Sequence, residues 1–255
     1  MVSDTSTQGG HHSIASKRKA ANGQESGVPW PPQSKRQKQG TNKAAIVEAA
    51  NSLSADEFFS RFIPADARPQ VSQLNFEVLP NLTLYVQNAT GVHGLYLDEC
   101  FRLVEETSAE DYNRSETRWS ASKKRREMVL PDMKYIILRE DEKPDVAGFV
   151  SFMITYEDGH EVVYIYEIHF VQRWQGKGLG QKLMCMVETI GKNVGVGKAM
   201  LTVFKVNARA VKWYQGLGYA VDEFSPQPRK LRNGTIKAPS YLILSKELHQ
   251  DETAR

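Results

Sequence analysis

The sequence predicts an α/β fold, a strand-rich sheet flanked by helices, and three observations lead there. Residues 135–138, 147–154 and 162–171 are three successive apolar runs rich in Val, Ile, Phe and Tyr, with 156–160 as the turn between the last two, so a meander is the simple arrangement. The third run ends in a glycine-rich turn that opens a helical stretch over 178–193. Strand and helix patterns then continue without any internal repeat: a strand at 199–205, a helix at 208–216, and strands at 219–222 and 241–245.

Upstream of these runs the pattern changes. Residues 1–42 hold Ser, Gly, Gln, Pro and Lys with almost no apolar periodicity, and such a segment buries too little surface to offset the entropy of ordering. A disordered basic tail is expected there, followed by one domain over 43–250. Residues 43–62 read as one or two short helices that extend this domain at its N-terminus; Ser54 with Glu57 three positions on is a capping box. An opening strand broken at Pro80 fits 74–87. Over 93–107 the residues Leu95, Leu97, Cys100, Phe101 and Val104 mark the apolar side of a helix. A loop and short helix fit 112–128, polar but carrying Tyr112 and Trp119.

Composition narrows the classes of function. With 40% hydrophobic residues in 255 the chain can bury a sizeable core. Its net charge of +3 comes from the N-terminal end, where residues 1–43 hold seven basic residues against only Asp4 and Glu25; the rest is slightly acidic and unsuited to binding nucleic acid directly. No window approaches the roughly 18 to 20 apolar residues that span a bilayer, and the N-terminus lacks the apolar core of a secretory signal. Of the two cysteines, Cys185 lies in an apolar helical run, where a buried thiol is expected rather than a bridge. A reducing compartment follows, cytoplasm or nucleus. The tail clusters Lys17-Arg18-Lys19 and Lys35-Arg36-Gln37-Lys38 read either as a long-spaced bipartite import signal or as a solvated extension. A monomer that needs no metal is expected.

The glycine-rich turn carries the first chemistry. A strand that runs through glycines into a helix leaves backbone N–H groups unpaired at the positive helix end, and that end binds anions. Gly176, Gly178 and Gly180 lack Cβ atoms and let a diphosphate approach the main chain. A P-loop would place Ser or Thr after the Gly-Lys pair, whereas Gly178 follows Lys177 here. A dinucleotide fingerprint would space its glycines G-x-G-x-x-G, which this turn does not.

Arg173-x-x-Gly176-x-Gly178 resembles the acyl-coenzyme A signature of the GNAT acetyltransferase superfamily. Asn207, Ala210, Tyr214, Gly218 and Tyr219 then resemble the pattern that follows the superfamily's next strand. The resemblance implies the GNAT fold, a central, mixed, mostly antiparallel and twisted sheet flanked by helices, and acetyl-coenzyme A as cosubstrate. It implies that Gly176, Lys177, Gly178, Leu179, Gly180 and Gln181 cradle the pyrophosphate. The backbone of Ile168, His169 and Phe170 would hold the acetyl-pantetheine arm, and Asn207 would touch the cofactor beyond it. Tyr214 stands at the general-acid position of many members, with packing as its other reading.

A narrower resemblance is to the NatD family, Nα-acetyltransferases selective for the N-termini of histone four and histone two-A. Tyr164-Ile-Tyr166-Glu167-Ile168, Met200 to Lys205 with Asn207, Tyr112-x-x-Ser115-Glu116-x-x-Trp119 and Lys124-Arg125-x-Glu127-Met128 carry it, over roughly 44–245. It implies transfer to the free α-amine of a Ser-Gly-Arg-Gly end, with Glu167 taking the amine's proton, which is largely present near neutral pH. It also assigns the peptide pocket to Tyr112, Tyr166, Thr202 and Tyr241, with Tyr164 and Trp119 as aromatic neighbours. Thr155 departs from the family, which has an acid there for the substrate; Tyr156 and Glu157 beside it belong to the same expected substrate segment. Thr117 stands where the family can have tryptophan. Strict alternation would put Glu167 on the face opposite Tyr164 and Tyr166, so either a bulge joins them or they serve different sides. A lysine or small-amine acceptor, and an acyl-coenzyme A-binding module without catalysis, are the competing readings.

Overall fold

A computed structural model describes residues 44–63, 82–92, 94–140 and 145–248. The expected tail at 1–42 and the expected strand start at 74–81 lie outside the described residues.

Seven strands form one sheet in the order β1 (Leu82–Asn88), β2 (Lys134–Glu140), β3 (Val146–Glu157), β4 (His160–Phe170), β5 (Lys198–Phe204), β9 (Tyr241–Glu247), β6 (Ala220–Val221). Every neighbouring pair is antiparallel except β4 with β5. The mixed, mostly antiparallel sheet flanked by helices is therefore the architecture found. The two-residue strands β7 (Arg229–Lys230) and β8 (Ile236–Lys237) form a separate hairpin.

Side chains that alternate along a strand bury both faces of this sheet. On β2, Ile136 and Leu138 enter one core while Tyr135 and Ile137 enter the other. Helices α1 (Ala44–Asn51), α2 (Ala55–Phe62), α5 (Leu179–Val194) and α6 (Ala208–Gly216) cover the first face; α3 (Gly94–Asn113) and α4 (Ala121–Met128) cover the second. The capping box is present: Glu57 N–H donates to Ser54 Oγ and the Ser54 N–H donates to Glu57 Oε2. It starts α2 so that Phe58, Phe59 and Phe62 fall on the sheet, each burial contributing about 1.5–3 kcal/mol.

Three expectations need correction. Helix α3 runs to Asn113, so Tyr112 sits in its last turn and not in a loop. Cys185 is exposed, whereas Cys100 is buried. The residues around Cys185 are all apolar, so periodicity does not single it out; α5 buries Leu183, Met184, Met186 and Val187 and turns position 185 to solvent. The strand expected at 219–222 shrinks to the two residues of β6.

Two irregularities of β4 shape the middle of the sheet. Its register with β3 shifts where Ser151 pairs with Glu167 but Phe152 pairs with Ile165, leaving Tyr166 as the extra residue of a bulge. The bulge is the one of the two alternatives that occurs: Tyr164 and Glu167, three apart, lie on the same side of the sheet, Tyr164 among Val162, Met200 and Ile243 and Glu167 against Lys124 of α4. Beside it, the parallel pairing of β4 and β5 ends at Ile165 with Leu201, and the two strands part.

Candidate functional site

A cleft of roughly 710 Å³ opens where β4 and β5 part. One wall is β4 from Ile165 to Phe170, the other β5 from Leu201 to Phe204, and α3, α6 and the start of α5 close its ends. Of the residues expected to touch cofactor, Ile168, His169, Phe170, Gly176, Gly178, Leu179, Gly180, Gln181 and Asn207 line it. Lys177 turns aside, its ammonium 4.5 Å from the centre of the Trp174 ring.

The turn into α5 is held from outside. Arg173 Nε and Trp174 Nε1 both donate to Glu140 Oε1 at 2.6 Å, and Gln175 Nε2 donates to the Phe170 carbonyl at 2.9 Å. Gly176 and Gly178 have φ of +73° and +77°, a region that penalises any side chain, and a Cβ on either would meet no atom within 4 Å. Gly178 is the N-cap of α5, so the first N–H groups of the helix, which lack intrahelical acceptors, face the cleft beside open space. This arrangement fits a bound diphosphate.

Across the cleft Asn207 caps α6 by accepting from Ala210 N–H at 3.0 Å, and its side chain also bonds Asp111 of α3. Tyr214 is buried between Trp213 and Tyr219, although it lines the cleft; burial pushes its phenol up, and the Glu167 charge adds to this.

At the far end of the cleft lies a buried cluster of charge. Glu167 is 9% exposed; its Oε1 accepts from Lys124 Nζ at 2.6 Å and its Oε2 pairs with His169 Nε2 at 2.6 Å. Lys124, 4% exposed, also donates to Glu127 Oε1, and its ammonium lies 5.1 Å from the centre of the Tyr112 ring. One ammonium thus joins two carboxylates. Burial pushes the Glu167 carboxyl up, but the Lys124 ammonium and the His169 hydrogen bond outweigh it and hold the group at about 2. Burial, opposed by Lys124 and reinforced by the Glu167 charge, pushes Glu127 up to about 7. His169 Nδ1 continues the network to the Thr107 hydroxyl on α3 at 2.7 Å.

Aromatic rings surround this cluster. Tyr112 meets Trp119 edge-on at 5.3 Å and Phe204 at 4.8 Å; Tyr164 meets Tyr166 at 5.2 Å. The Tyr164 hydroxyl bonds the Thr202 hydroxyl, and burial pushes the Tyr164 phenol well up. Tyr112, Tyr166, Glu167 and Thr202 line the cleft, and Tyr241, opposite Phe204, packs with the Tyr164 group. Tyr156 is not brought to them. It faces the other side of the sheet, where its hydroxyl donates to Glu48 of α1 at 2.9 Å. By alternation Thr155 and Glu157 share the face of Met153, that of Tyr164 and Glu167, but neither lines the cleft itself. Thr117 N–H donates to Ser115 Oγ at 3.1 Å, in the turn after α3.

Lys124 is the residue whose part sequence reasoning missed. In a strongly polar helix its only signal is its spacing: Lys124 and Met128, four apart and so on one face, are the buried residues of α4.

The chain is similar to known acetyltransferases. The Acetyltransferase (GNAT) family matches residues 95–219. N-alpha-acetyltransferase 40 of Saccharomyces cerevisiae is 26% identical over 195 residues, which cover 66% of this chain and 65% of that protein, so the chain spans just under two thirds of that relative. Among solved structures, Arabidopsis thaliana NAA60 in complex with a bisubstrate analogue superposes with a TM-score of 0.47 at 13% identity, covering 66% of this chain and 99% of that one. A GNAT-family acetyltransferase from Staphylococcus aureus Mu50 gives 0.48 at 10%, covering 66% and 100%. The matched stretch takes in the elements that border the cleft, from α3 through α6, and over it the chain is similar to the GNAT acetyltransferase family.

Proposed function

We propose that this chain is an N-alpha-acetyltransferase that moves acetyl from acetyl-coenzyme A to the free α-amine of protein N-termini, with the Ser-Gly-Arg-Gly ends of histone four and histone two-A as its substrates. The observation that carries the reading is the continuity of the cleft: it runs from the glycine turn at 176–181, between the parted strands, to Glu167 and the tyrosines. The resemblance to N-alpha-acetyltransferase 40 supports the choice of an N-terminal amine as acceptor.

Acetyl-coenzyme A supplies an activated thioester. The chain's residues bind and orient. Residues Gly176 to Gln181 offer main-chain N–H groups to the diphosphate, and the strand edge of Ile168, His169 and Phe170, unpaired with β5, offers backbone hydrogen bonds to the pantetheine arm. The peptide's amine enters among Tyr112, Tyr166 and Thr202, whose hydroxyls both donate and accept. Glu167 belongs to the machinery that removes the amine's proton in a ternary complex. The same reading puts the protein in nucleus and cytoplasm as a monomer, its basic tail serving import.

The test is acetyl-coenzyme A with a Ser-Gly-Arg-Gly peptide that also carries an internal lysine. Mass spectrometry is expected to find the label on the α-amine. Label on the lysine assigns the chain to the other acceptor class, and no label with intact acetyl-coenzyme A binding makes it a binding module.

A further inference from the structure

A carboxylate that takes a proton must also pass it on. Glu167 Oε1 is held by Lys124 Nζ at 2.6 Å, so a Glu167 that stayed protonated would strip that buried ammonium of a counter-charge, a loss of the costly kind. At Oε2 stands His169 Nε2, also at 2.6 Å. The other ring nitrogen fixes the tautomer. Thr107 has a single hydroxyl proton and donates it to the Leu103 carbonyl one turn back at 2.7 Å, so its Oγ1 meets His169 Nδ1, at 2.7 Å, as an acceptor. Nδ1 therefore carries a hydrogen, and in a neutral ring Nε2 is then a bare lone pair. A bare Nε2 and an ionised Oε2 are two acceptors and do not approach to hydrogen-bond distance, so the pair as it stands shares one proton. It is a seat for a single proton. Both residues line the cleft, and the His169 side chain is 11% exposed, so it is not sealed from water. Phe149 of β3 packs its uncharged ring 5.7 Å from that of His169. The charged groups about the pair are Lys124 and Glu127 of α4, and Asp111 lines the cleft one turn beyond Thr107 on α3.

We propose that Glu167 and His169 work as a dyad: the proton that Glu167 takes from the peptide's α-ammonium passes across their 2.6 Å hydrogen bond to His169 Nε2, which returns Glu167 to its ionised form opposite Lys124. This rests on the N-terminal acetyltransferase reading. The reactive form is the pair without its shared proton, with Nδ1–H held by Thr107 and Nε2 bare. One N–H bond of the α-ammonium breaks as Glu167 Oε2 takes the proton; the Nε2 lone pair then receives it, and imidazole becomes imidazolium. The freed lone pair of the amine forms the C–N bond at the thioester carbon as the C–S bond breaks. The second proton leaves the nitrogen after attack and ends on the departing thiolate. His169 then gives its proton to water in the cleft, which resets the pair.

The test has two parts. Long-range proton–nitrogen NMR spectra of the isotope-labelled full chain, assigned by comparison with H169Q, follow His169 from about pH 5.5 to 9. Hydrogen on both ring nitrogens is expected at the acid end, and on Nδ1 alone at the alkaline end. A neutral ring with its hydrogen on Nε2 means that Thr107 donates to Nδ1, and it overturns the proposal. Kinetics with acetyl-coenzyme A and Ser-Gly-Arg-Gly peptide at saturation supply the second part. In the parent protein kcat is expected to fall on the acid side, with the midpoint at which His169 titrates in the spectra. H169Q keeps an N–H donor for Glu167 but takes up no proton. Its kcat is expected to drop about tenfold, less than for loss of the base itself, with that limb displaced and acetyl-coenzyme A affinity within about twofold of the parent. A histidine that only positions Glu167 predicts the parent's rate and limb in H169Q, and that result overturns the relay. The spectra need no substrate, so an unlabelled α-amine in the parent protein, with the expected tautomer present, sinks the acceptor assignment and not the dyad.

Discussion

Gly148 of β3 lies directly under the ring of Phe170 at the end of β4: a Cβ at position 148 would stand 2.2 Å from Phe170 Cδ1 and 2.7 Å from the His169 carbonyl oxygen. The absence of one methyl group there lets the cleft wall settle onto the sheet. Gly148→Ala must push back both the ring and the backbone of β4. A loss of about 1–3 kcal/mol in unfolding free energy is expected, as for an overpacked core, together with weaker acetyl-coenzyme A binding. Urea denaturation and calorimetry check the two parts; unchanged stability would show that β4 shifts freely.

Gly178 tests the cradle. At φ +77° alanine costs about 1 kcal/mol or slightly more in the folded state, yet its Cβ would meet no protein atom within 4 Å. The protein should therefore accept Gly178→Ala with little change in melting, while the methyl stands where the diphosphate would approach. At least a tenfold loss of acetyl-coenzyme A affinity is expected by calorimetry. Equal affinity would remove the diphosphate from this turn.

Lys124→Met removes the ammonium that two buried carboxylates share. Leaving them uncompensated is expected to cost about 3–5 kcal/mol, read by urea denaturation at pH 7. The pH dependence has a definite sign. Glu167 is held below its unfolded value, near 4.3, so the stability it contributes is present above that pH and is lost as pH falls towards about 2. Glu127 is raised, so its contribution runs the other way: full below about 4.3 and lost as pH rises through about 7. Replacing Glu167 by Gln should flatten the acid side of the stability curve.

Thr155 tests substrate choice. It shares the face of Met153, towards Tyr164 and Glu167, as does Glu157. With Thr155→Asp, a second acid on that face should strengthen binding of a peptide whose third residue is arginine. A three- to tenfold lower KM for Ser-Gly-Arg-Gly over Ser-Gly-Ala-Gly is expected, about the size of one partly exposed ion pair. The same KM for both peptides would remove this face from recognition.

Much of this site could be read in advance because its signals are local. The glycine turn, the capping box at Ser54 and the apolar runs of β2, β3 and β4 each lie within a dozen residues, and each forms as expected. What stayed hidden depends on partners far along the chain. Lys124 and Glu167 are 43 residues apart, and nothing near Lys124 in sequence says that its ammonium is buried. Tyr156 shows the converse: its neighbours placed it with the substrate, while its register on β3 turns it to Glu48, 108 residues away. The bulge at Tyr166 was one of two open alternatives because a single inserted residue leaves no mark in composition.

The short parallel seam between β4 and β5 has a mechanical consequence. Only four rungs, Val162 to Ile165 against Lys198 to Leu201, stitch the β1–β4 leaf to the leaf made of β5, β9 and β6. Beyond them the leaves diverge like covers from a spine, held apart by whatever lies between and drawn together by helices at the margin. A molecule lodged in that gap and bonded to both edges acts as a fifth rung. Its arrival should stiffen the spine from end to end, slowing amide exchange along both leaves rather than only where it touches.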